Sequence, residues 1–348
     1  MKNNVKVLIW GFGAMGSGMA DMLLKKKGVE IVGICDVHPD RVNNSFKKFV
    51  KADASHHADV TISDDIDLLI ESTKPDLALL ATDSFTAKAF DKIVKLLENK
   101  INVISTAEQM AYPQAQEPEL AAKLDQIAKD NGVSVLGTGI NPGMIMDLLV
   151  VVLTGCMEEV DHILARRVNS LSPFGPAVME EQGVGMELDK FNKLNAEGKL
   201  AGHVGFAESV NMIADALGLK LDKFQQQMEP IVTDVDRKSP YGFAAAGHLA
   251  GVNMTAKGYV DGKDMIDMQH PQQIEPQLAG VDTGDYIVLE GTPKVNMAIT
   301  PEVDGGIGTI AMCVNMIPQV INATPGLKTM LDLPVPRAIM GDMRDLIK

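Results

Sequence analysis

The chain has 348 residues, 46% of them hydrophobic, which is enough for two domains with buried cores. Its formal net charge of −14 has no basic cluster to offset it and argues against nucleic acid as a partner. No apolar stretch reaches the roughly 18 residues that a membrane helix needs. The longest candidate, Met144 to Gly155, is interrupted by Asp147.

The N-terminal run Met1-Lys2-Asn3-Asn4 passes straight into the first strand with no signal-peptide pattern, so the expected location is cytoplasmic. The apolar run Lys6 to Trp10 then ends in Gly11-Phe12-Gly13-Ala14-Met15-Gly16, and an amphipathic run follows from Ser17 to Lys27. A second apolar run, Glu30 to Cys35, ends at Asp36. Strand, glycine turn, helix, strand and terminal acid together form the fingerprint of a dinucleotide-binding βαβ unit. Gly11 permits the tight turn, Gly13 lets a pyrophosphate approach the backbone, and Gly16 lets the helix pack close to the strand. The backbone of Gly11, Phe12, Gly13, Ala14, Met15 and Gly16 is therefore the expected phosphate cradle. Asp36 suits the adenosine ribose hydroxyls and repels a 2′-phosphate, which favours NAD. Arg41 lies near enough to leave NADP open.

Pro39-Asp40-Arg41 opens an expected helix to about Val50. Val60-Thr61 reads as a short strand, and Ser63-Asp64-Asp65 as a helix start. Leu77 to Ala81 is a continuous apolar run, the pattern of a parallel strand buried on both faces, and Thr82-Asp83-Ser84 ends it. A helix from Phe85 to Leu97 leads to a strand, Asn102 to Ser105, and then a loop from Thr106 to Pro113. Pro118 opens a helix that Asn131-Gly132 stops, and Val133 to Leu136 is another strand. The fold class is α/β: a doubly wound parallel sheet of the Rossmann type. Ligands in such sheets bind beyond the carboxyl ends of the strands, so the loops at Gly11, Thr82, Thr106 and Gly137 should share a crevice.

The pattern changes after Gly137-Thr138-Gly139-Ile140-Asn141-Pro142-Gly143. A helix from Met144 to Thr154 precedes a strand from His162 to Asn169 and the irregular loop Ser172 to Pro176. Helices are expected around Glu187–Asn195 and Phe206–Leu217. Strand-like runs follow at Ile231 to Val235, Gly251 to Tyr259, Tyr286 to Glu290 and Val295 to Ile299. Gly306 to Ile321 reads as one long apolar helix. The expected division is a dinucleotide-binding domain at 1–140, with 306–348 packing back on it, and an α+β substrate and dimerisation domain at 141–305. The three cysteines lie far apart and read as buried thiols, and the 21 methionines as flexible core filler.

Glu108 is the foremost acid for chemistry, because it lies just past a buried strand in Ser105-Thr106-Ala107-Glu108-Gln109. A carboxylate there can take a proton from an attacking water or steady a developing iminium charge; the plainer alternative is a solvated loop glutamate. Asn141-Pro142-Gly143 reads as a helix start whose N–H groups could hold a substrate carboxylate or the cofactor amide, or as a routine helix cap with no ligand. Arg166 and Arg167 are strand neighbours facing opposite sides, so one should pair with a carboxylate and the other be solvated. Asn169, His203, Thr309 at the end of Asp304 to Thr309, which reads as a second close-approach loop or as a helix start, and Asn315 inside the last helix complete the substrate-side candidates. No metal site is expected, since His56 and His57 are adjacent and no His/Cys ligand spacing appears. Neither a nucleophile elbow nor a phosphate-loop motif is present.

Taken together, Gly11 to Gly16, the loop with Glu108, Gly137 to Gly143 and Asn315-Met316-Ile317-Pro318 resemble the 2,4-diaminopentanoate dehydrogenases of bacterial ornithine fermentation. The broader relatives of that family are the native amine dehydrogenases and the dihydrodipicolinate-reductase-like proteins. The resemblance covers essentially the whole chain. It implies oxidative deamination at C4 of 2,4-diaminopentanoate, giving 2-amino-4-oxopentanoate, ammonia and reduced cofactor. It also implies that Glu108 is the catalytic carboxylate, that NAD and NADP are both tolerated, and that the chain forms homodimers. Dihydrodipicolinate reductase itself fits less well, because its His-rich catalytic segment has no match. The rival readings are a dehydrogenase of another amine or amino acid, such as diaminopimelate, and an NAD-binding sensor without turnover.

Overall fold

Strand β1 (Val5–Trp10), helix α1 (Ala14–Leu23) and strand β2 (Val29–Cys35) form the opening βαβ unit. They are followed by α2 (Ile66–Thr73), β3 (Leu77–Leu80), α3 (Thr86–Glu98), β4 (Asn102–Ser105), α4 (Pro118–Asn131) and β5 (Ser134–Gly137). The computed structural model describes residues 3–348 and divides them into two units. One unit is residues 3–144 with Asp304–Lys348, and the other is Ile145–Val303.

In the first unit the hydrophobic pattern sets the layers. All four residues of β3 are buried, as a parallel strand covered on both faces requires. Helix α3 buries Ala89, Ile93, Leu96 and Leu97 at helical spacing on one face. Pro118 occupies the first turn of α4, where a missing N–H costs nothing, and Gly132 closes it at φ +71°. One expected helix is absent. Residues 39–50 form turns and only a short 3₁₀ segment, Phe46–Lys48. Here Asn43 takes φ +63°, and the backbones of Asn44 and Phe46 bond to Ile62 and Val60 instead of to a helical ladder.

The second unit contains α5 (Leu148–Thr154), β6 (Glu159–Ser170), α6 (Pro176–Glu181), α7 (Leu188–Ala196) and α8 (Phe206–Ala216). Strands β7 (Lys223–Val232), β8 (Arg237–Lys238), β9 (Phe243–Ala244), β10 (Leu249–Val260), β11 (Lys263–Gln273), β12 (Gly284–Thr292) and β13 (Val295–Ile299) follow. Six of these strands form a mixed sheet in the order β13-β12-β6-β11-β10-β7, in which only β6 and β11 run parallel. Strand β11 has no counterpart among the sequence expectations. Its inward positions include His270 and Gln272 beside Ile266 and Met268, so the apolar alternation is masked. The polar half of edge strand β7, around Gln225 to Gln227, is exposed and so shows no apolar alternation either.

The chain then returns to the first unit through α9 (Gly305–Asn315), α10 (Ile317–Ile321) and β14 (Gly326–Lys328). The expected single helix from Gly306 to Ile321 is thus two helices. Pro318 lacks the N–H that a continuous helix would donate to Val314, and its ring crowds that carbonyl. Strand β14 completes a six-stranded, wholly parallel sheet in the order β14-β5-β4-β3-β1-β2. The order reverses between β1 and β3, which is the switch point where such sheets bind ligands. Cys35 and Cys313 are buried, and burial pushes both thiols up to about 12. Cys156 is exposed, contrary to expectation, because α5 has already ended at Gly155.

Candidate active site

The glycine turn at the end of β1 meets the physical demands of a nucleotide cradle. Gly11 sits at φ +92°, and a Cβ there would overlap the carbonyl of Ala81 at the end of β3. A Cβ on Gly16 would overlap the carbonyl of Gly11, so the helix approaches the turn as closely as backbone allows. Gly13 is different: nothing lies within 4 Å of the place its Cβ would take. As N-cap of α1, Gly13 also brings no side chain to occupy the first-turn N–H groups. That open, donor-lined face fits a pyrophosphate.

Not every N–H of the motif is available. Gly11 donates to Cys35 O at 2.8 Å, and Phe12 donates to Asp36 Oδ2 at 2.6 Å. The N–H groups of the motif that remain to be offered to a phosphate are those of the first turn of α1, including Ala14, Met15 and Gly16. Asp36 is buried and ties the end of β2 to this turn. Its other oxygen accepts the His38 N–H at 2.7 Å, and Arg41 Nη1 lies 3.4 Å from Oδ2. Thr82 is exposed just beyond β3, and its hydroxyl is bonded to Asp83, which Lys92 pairs at 2.6 Å.

Glu108 is half-buried and opens a 3₁₀ turn, Glu108–Ala111. Neighbouring residues hold that turn from three directions. Thr106 N–H donates to Leu80 O at 3.0 Å, and Ser105 Oγ accepts the Ala107 N–H at 3.1 Å. Gln109 donates its N–H to Ser84 O at 3.2 Å, and its side-chain oxygen accepts the Thr86 N–H at 3.0 Å. A Cβ at Gly137 would overlap the Met110 carbonyl, so the glycine after β5 lets the turn settle against the sheet. A cavity of about 40 Å³ results, lined by Thr106, Glu108, Thr138, Asn141, Pro142 and Thr309 among others. Five of the candidates drawn from the sequence, Glu108, Thr106, Asn141, Pro142 and Thr309, thus meet around one space.

Asn141-Pro142-Gly143 is not the expected helix start. The Asn141–Pro142 peptide is cis, and Gly143 lies at φ +122°, packed against the Gly139 backbone. A helix begins only at Leu148, where Asp147 accepts the Leu148 N–H at 2.6 Å. Any ligand contact at Asn141 would come from its side chain or from turn backbone, without a helix dipole behind it. Asn315 does not line the cavity. Its side-chain oxygen accepts the Ile339 N–H at 3.2 Å, which anchors the C-terminal tail of the same unit.

The remaining candidates lie in the second unit. Arg166 is exposed and Arg167 buried, as strand alternation requires. The carboxylate that Arg167 meets belongs to the chain itself: Nη1 is 2.5 Å from Asp285, and Nη2 donates to Val303 O. Burial raises the Asp285 carboxyl, while Arg167 and the Val303 N–H pull it back. The carboxylate pairing expected of one arginine is thus made inside the chain. His203 is half-buried and lies edge-on to His270, with ring centroids 4.8 Å apart, and His270 Nδ1 is 2.8 Å from Arg167 O. Burial, with Arg167 adding to it, pushes His203 down to about 4; His270 falls well below its usual value for the same first reason. Both rings are therefore neutral at neutral pH. Asn169 is buried, with its amide oxygen unpartnered. Among the described residues no group of three His, Cys, Asp or Glu side chains could hold a metal ion, and no helix is long and apolar enough to cross a membrane.

Sequence reasoning missed Thr138, Gln109, Asp285 and His270. Thr138 lay inside the glycine-rich run already singled out, so its place in the motif was a usable signal. Asp285 and His270 carried none, because only the register of β6 with β12 and β11 brings them to Arg167.

Comparison with known proteins agrees with this architecture. Residues 5–138 match the family model of NAD-binding Rossmann-fold oxidoreductases, and residues 144–348 match that of the 2,4-diaminopentanoate dehydrogenase C-terminal domain. The chain is 64% identical to 2,4-diaminopentanoate dehydrogenase of Acetoanaerobium sticklandii, over 99% of this chain and 97% of that one. It is 23% identical to an amine dehydrogenase of Streptomyces virginiae, over 96% and 98% of the two chains. The solved structure of an amine dehydrogenase from Mycobacterium smegmatis superposes with a TM-score of 0.86 at 25% identity, covering 97% of this chain and 98% of that one. The chain belongs to the 2,4-diaminopentanoate dehydrogenase family of NAD(P)-dependent oxidoreductases acting on CH–NH2 groups.

Proposed function

We propose that this protein oxidatively deaminates 2,4-diaminopentanoate at C4, yielding 2-amino-4-oxopentanoate and ammonia, as a cytoplasmic homodimer serving ornithine degradation. Family membership supports the substrate. The observation that carries the chemistry is the half-buried Glu108 carboxyl, bordering a water-sized cavity on a firmly held turn.

NAD(P), when bound, supplies the hydride acceptor for C4. The first-turn backbone of α1 beyond Gly13 would hold its pyrophosphate, and Asp36, Arg41, Thr82 and Thr106 would border the rest. With C4 at the iminium level, Glu108 takes a proton from water as the water oxygen bonds to C4, and the C=N pair moves to nitrogen. Glu108 then returns that proton to the nitrogen. The hydroxyl O–H pair becomes the C=O bond, its proton is released, and ammonia leaves with the C–N pair. Residues 141–305 carry the dimerisation and further substrate contacts in this reading.

The test is NADH or NADPH absorbance on mixing the protein with 2,4-diaminopentanoate, each cofactor taken separately, with diaminopimelate and other diamines alongside. Reduced cofactor with 2,4-diaminopentanoate, and little with the others, is expected. Tight NAD binding with no turnover on any amine would contradict the reading.

A further inference from the structure

One residue lining the small cavity beside Glu108 carries a polar group that the protein fails to satisfy. Thr138 is 3% exposed, and its hydroxyl oxygen has no hydrogen-bond partner among the protein's described atoms. Its backbone is fully engaged: the N–H donates to Ser105 O at 3.0 Å, and the carbonyl faces the Cys313 thiol at 3.7 Å. An orphaned buried hydroxyl costs about 1–3 kcal/mol, so such groups are retained where something fills the gap.

The cavity has the right size and lining to fill it. A volume of about 40 Å³ exceeds the roughly 10–15 Å³ that one water needs. Thr309 lines the same space, and its oxygen accepts the Ile140 N–H at 3.2 Å, which leaves its O–H to donate inward. A water there has the Thr138 hydroxyl, the Thr309 O–H and the Glu108 carboxyl as its polar surroundings. Two to four partners are what a buried water requires. The rest of the lining is Thr106, Ala107, Ala111, Gly139, Asn141 and Pro142.

We infer that Thr138 is a positioning residue that holds the attacking water against Glu108. The inference rests on the proposed deamination and adds to it. The Thr138 hydroxyl, with Thr309, fixes the water so that one hydrogen points to the Glu108 carboxylate and an oxygen lone pair stays exposed to C4. Water addition then proceeds with the balance given above: the O–C4 bond forms, the C=N pair moves to nitrogen, and the proton goes to Glu108. Thr138 itself neither gains nor loses a proton overall.

The test uses Thr138→Val, which replaces the hydroxyl by a methyl group, and Thr138→Ser, which keeps the hydroxyl. Loss of an unpartnered hydroxyl should leave the melting temperature of Thr138→Val equal to or above that of the parent. In stopped flow with 2,4-diaminopentanoate, Thr138→Val should form NADH in a burst equal to the enzyme concentration. Its steady rate should then fall roughly 100-fold, the cost of a misplaced reactant. Thr138→Ser should recover most of that rate. A crystal structure of the parent should show an ordered water within hydrogen-bond distance of Thr138 Oγ1, absent in Thr138→Val. An unchanged steady rate without a burst, or a dry cavity in the parent, overturns the inference. A parent protein that forms no NADH from any diamine overturns the functional reading instead.

Discussion

The surroundings of Glu108 and those of Arg167 use polar groups in opposite ways. Around Glu108 and the glycine turn, uncharged groups do the holding: the Gln109 and Ser105 side chains pin the loop through backbone N–H groups, Gly137 lets it settle, and Gly13 keeps a face clear. Around Arg167, charge does the holding. The guanidinium is consumed by Asp285 and the Val303 carbonyl, and the two histidines are kept neutral by burial. A conspicuous charged residue is thus a poor guide to chemistry when the fold supplies its partner. A small cavity with an unsatisfied hydroxyl is a better one.

That contrast makes distinct predictions for the two regions, and the largest effect belongs to Glu108. Glu108→Gln keeps shape and removes the base, so deamination should slow by roughly 10²–10⁴-fold. NAD affinity, measured by fluorescence titration, should stay within about twofold of the parent, because no cofactor contact is assigned to Glu108. Arg167→Met should instead strike stability. Leaving Asp285 buried without its cation costs about 3–5 kcal/mol, read as a lowered urea midpoint. The double variant Arg167→Met with Asp285→Leu should recover much of that loss, as expected when a buried ion pair is replaced as a unit.

Gly13→Ala sharpens the contrast within the cradle. With nothing near the new Cβ and an ordinary φ of −71° at this N-cap, the fold should be unaffected while NAD binding weakens about tenfold, or about 1.4 kcal/mol. Gly16→Ala, which meets the Gly11 carbonyl, should lower the melting temperature as well. The smallest effect concerns pH. Because His203 titrates near 4 when folded and near 6.5 when unfolded, the unfolded chain binds the proton first on acidification. Stability is full above about 6.5 and is lost as pH falls towards 4. His203→Gln should flatten the upper part of that decline in a series of thermal melts.

Much of the first unit could be read locally, because its signals are local. The glycine spacing, the all-apolar β3, the Pro118 and Gly132 ends of α4 and the acid after β4 all lie within a few residues of what they determine. The turns at residues 39–50 eluded this reading, since a proline and polar residues open helices and turns alike, and Val60 and Ile62 decided the matter from afar. The break at Met316 was written in Pro318, but the long apolar run outweighed it. In the second unit the information was distributed across strands. His270 and Gln272 masked β11, and the partner of Arg167 came from β12, more than a hundred residues away. Asn141 met Glu108 in one crevice as anticipated from sequence position, but through a turn rather than a helix, and Thr309 joins them from within α9.

The most direct measurement is the rate of NADH formation from 2,4-diaminopentanoate by the parent and by Glu108→Gln under saturating NAD. The account predicts rapid turnover by the parent and at least about a 100-fold loss in the variant, with its melting temperature and NAD affinity retained. Equal rates in the two proteins would contradict it, and the carboxyl at position 108 would then have no part in the chemistry.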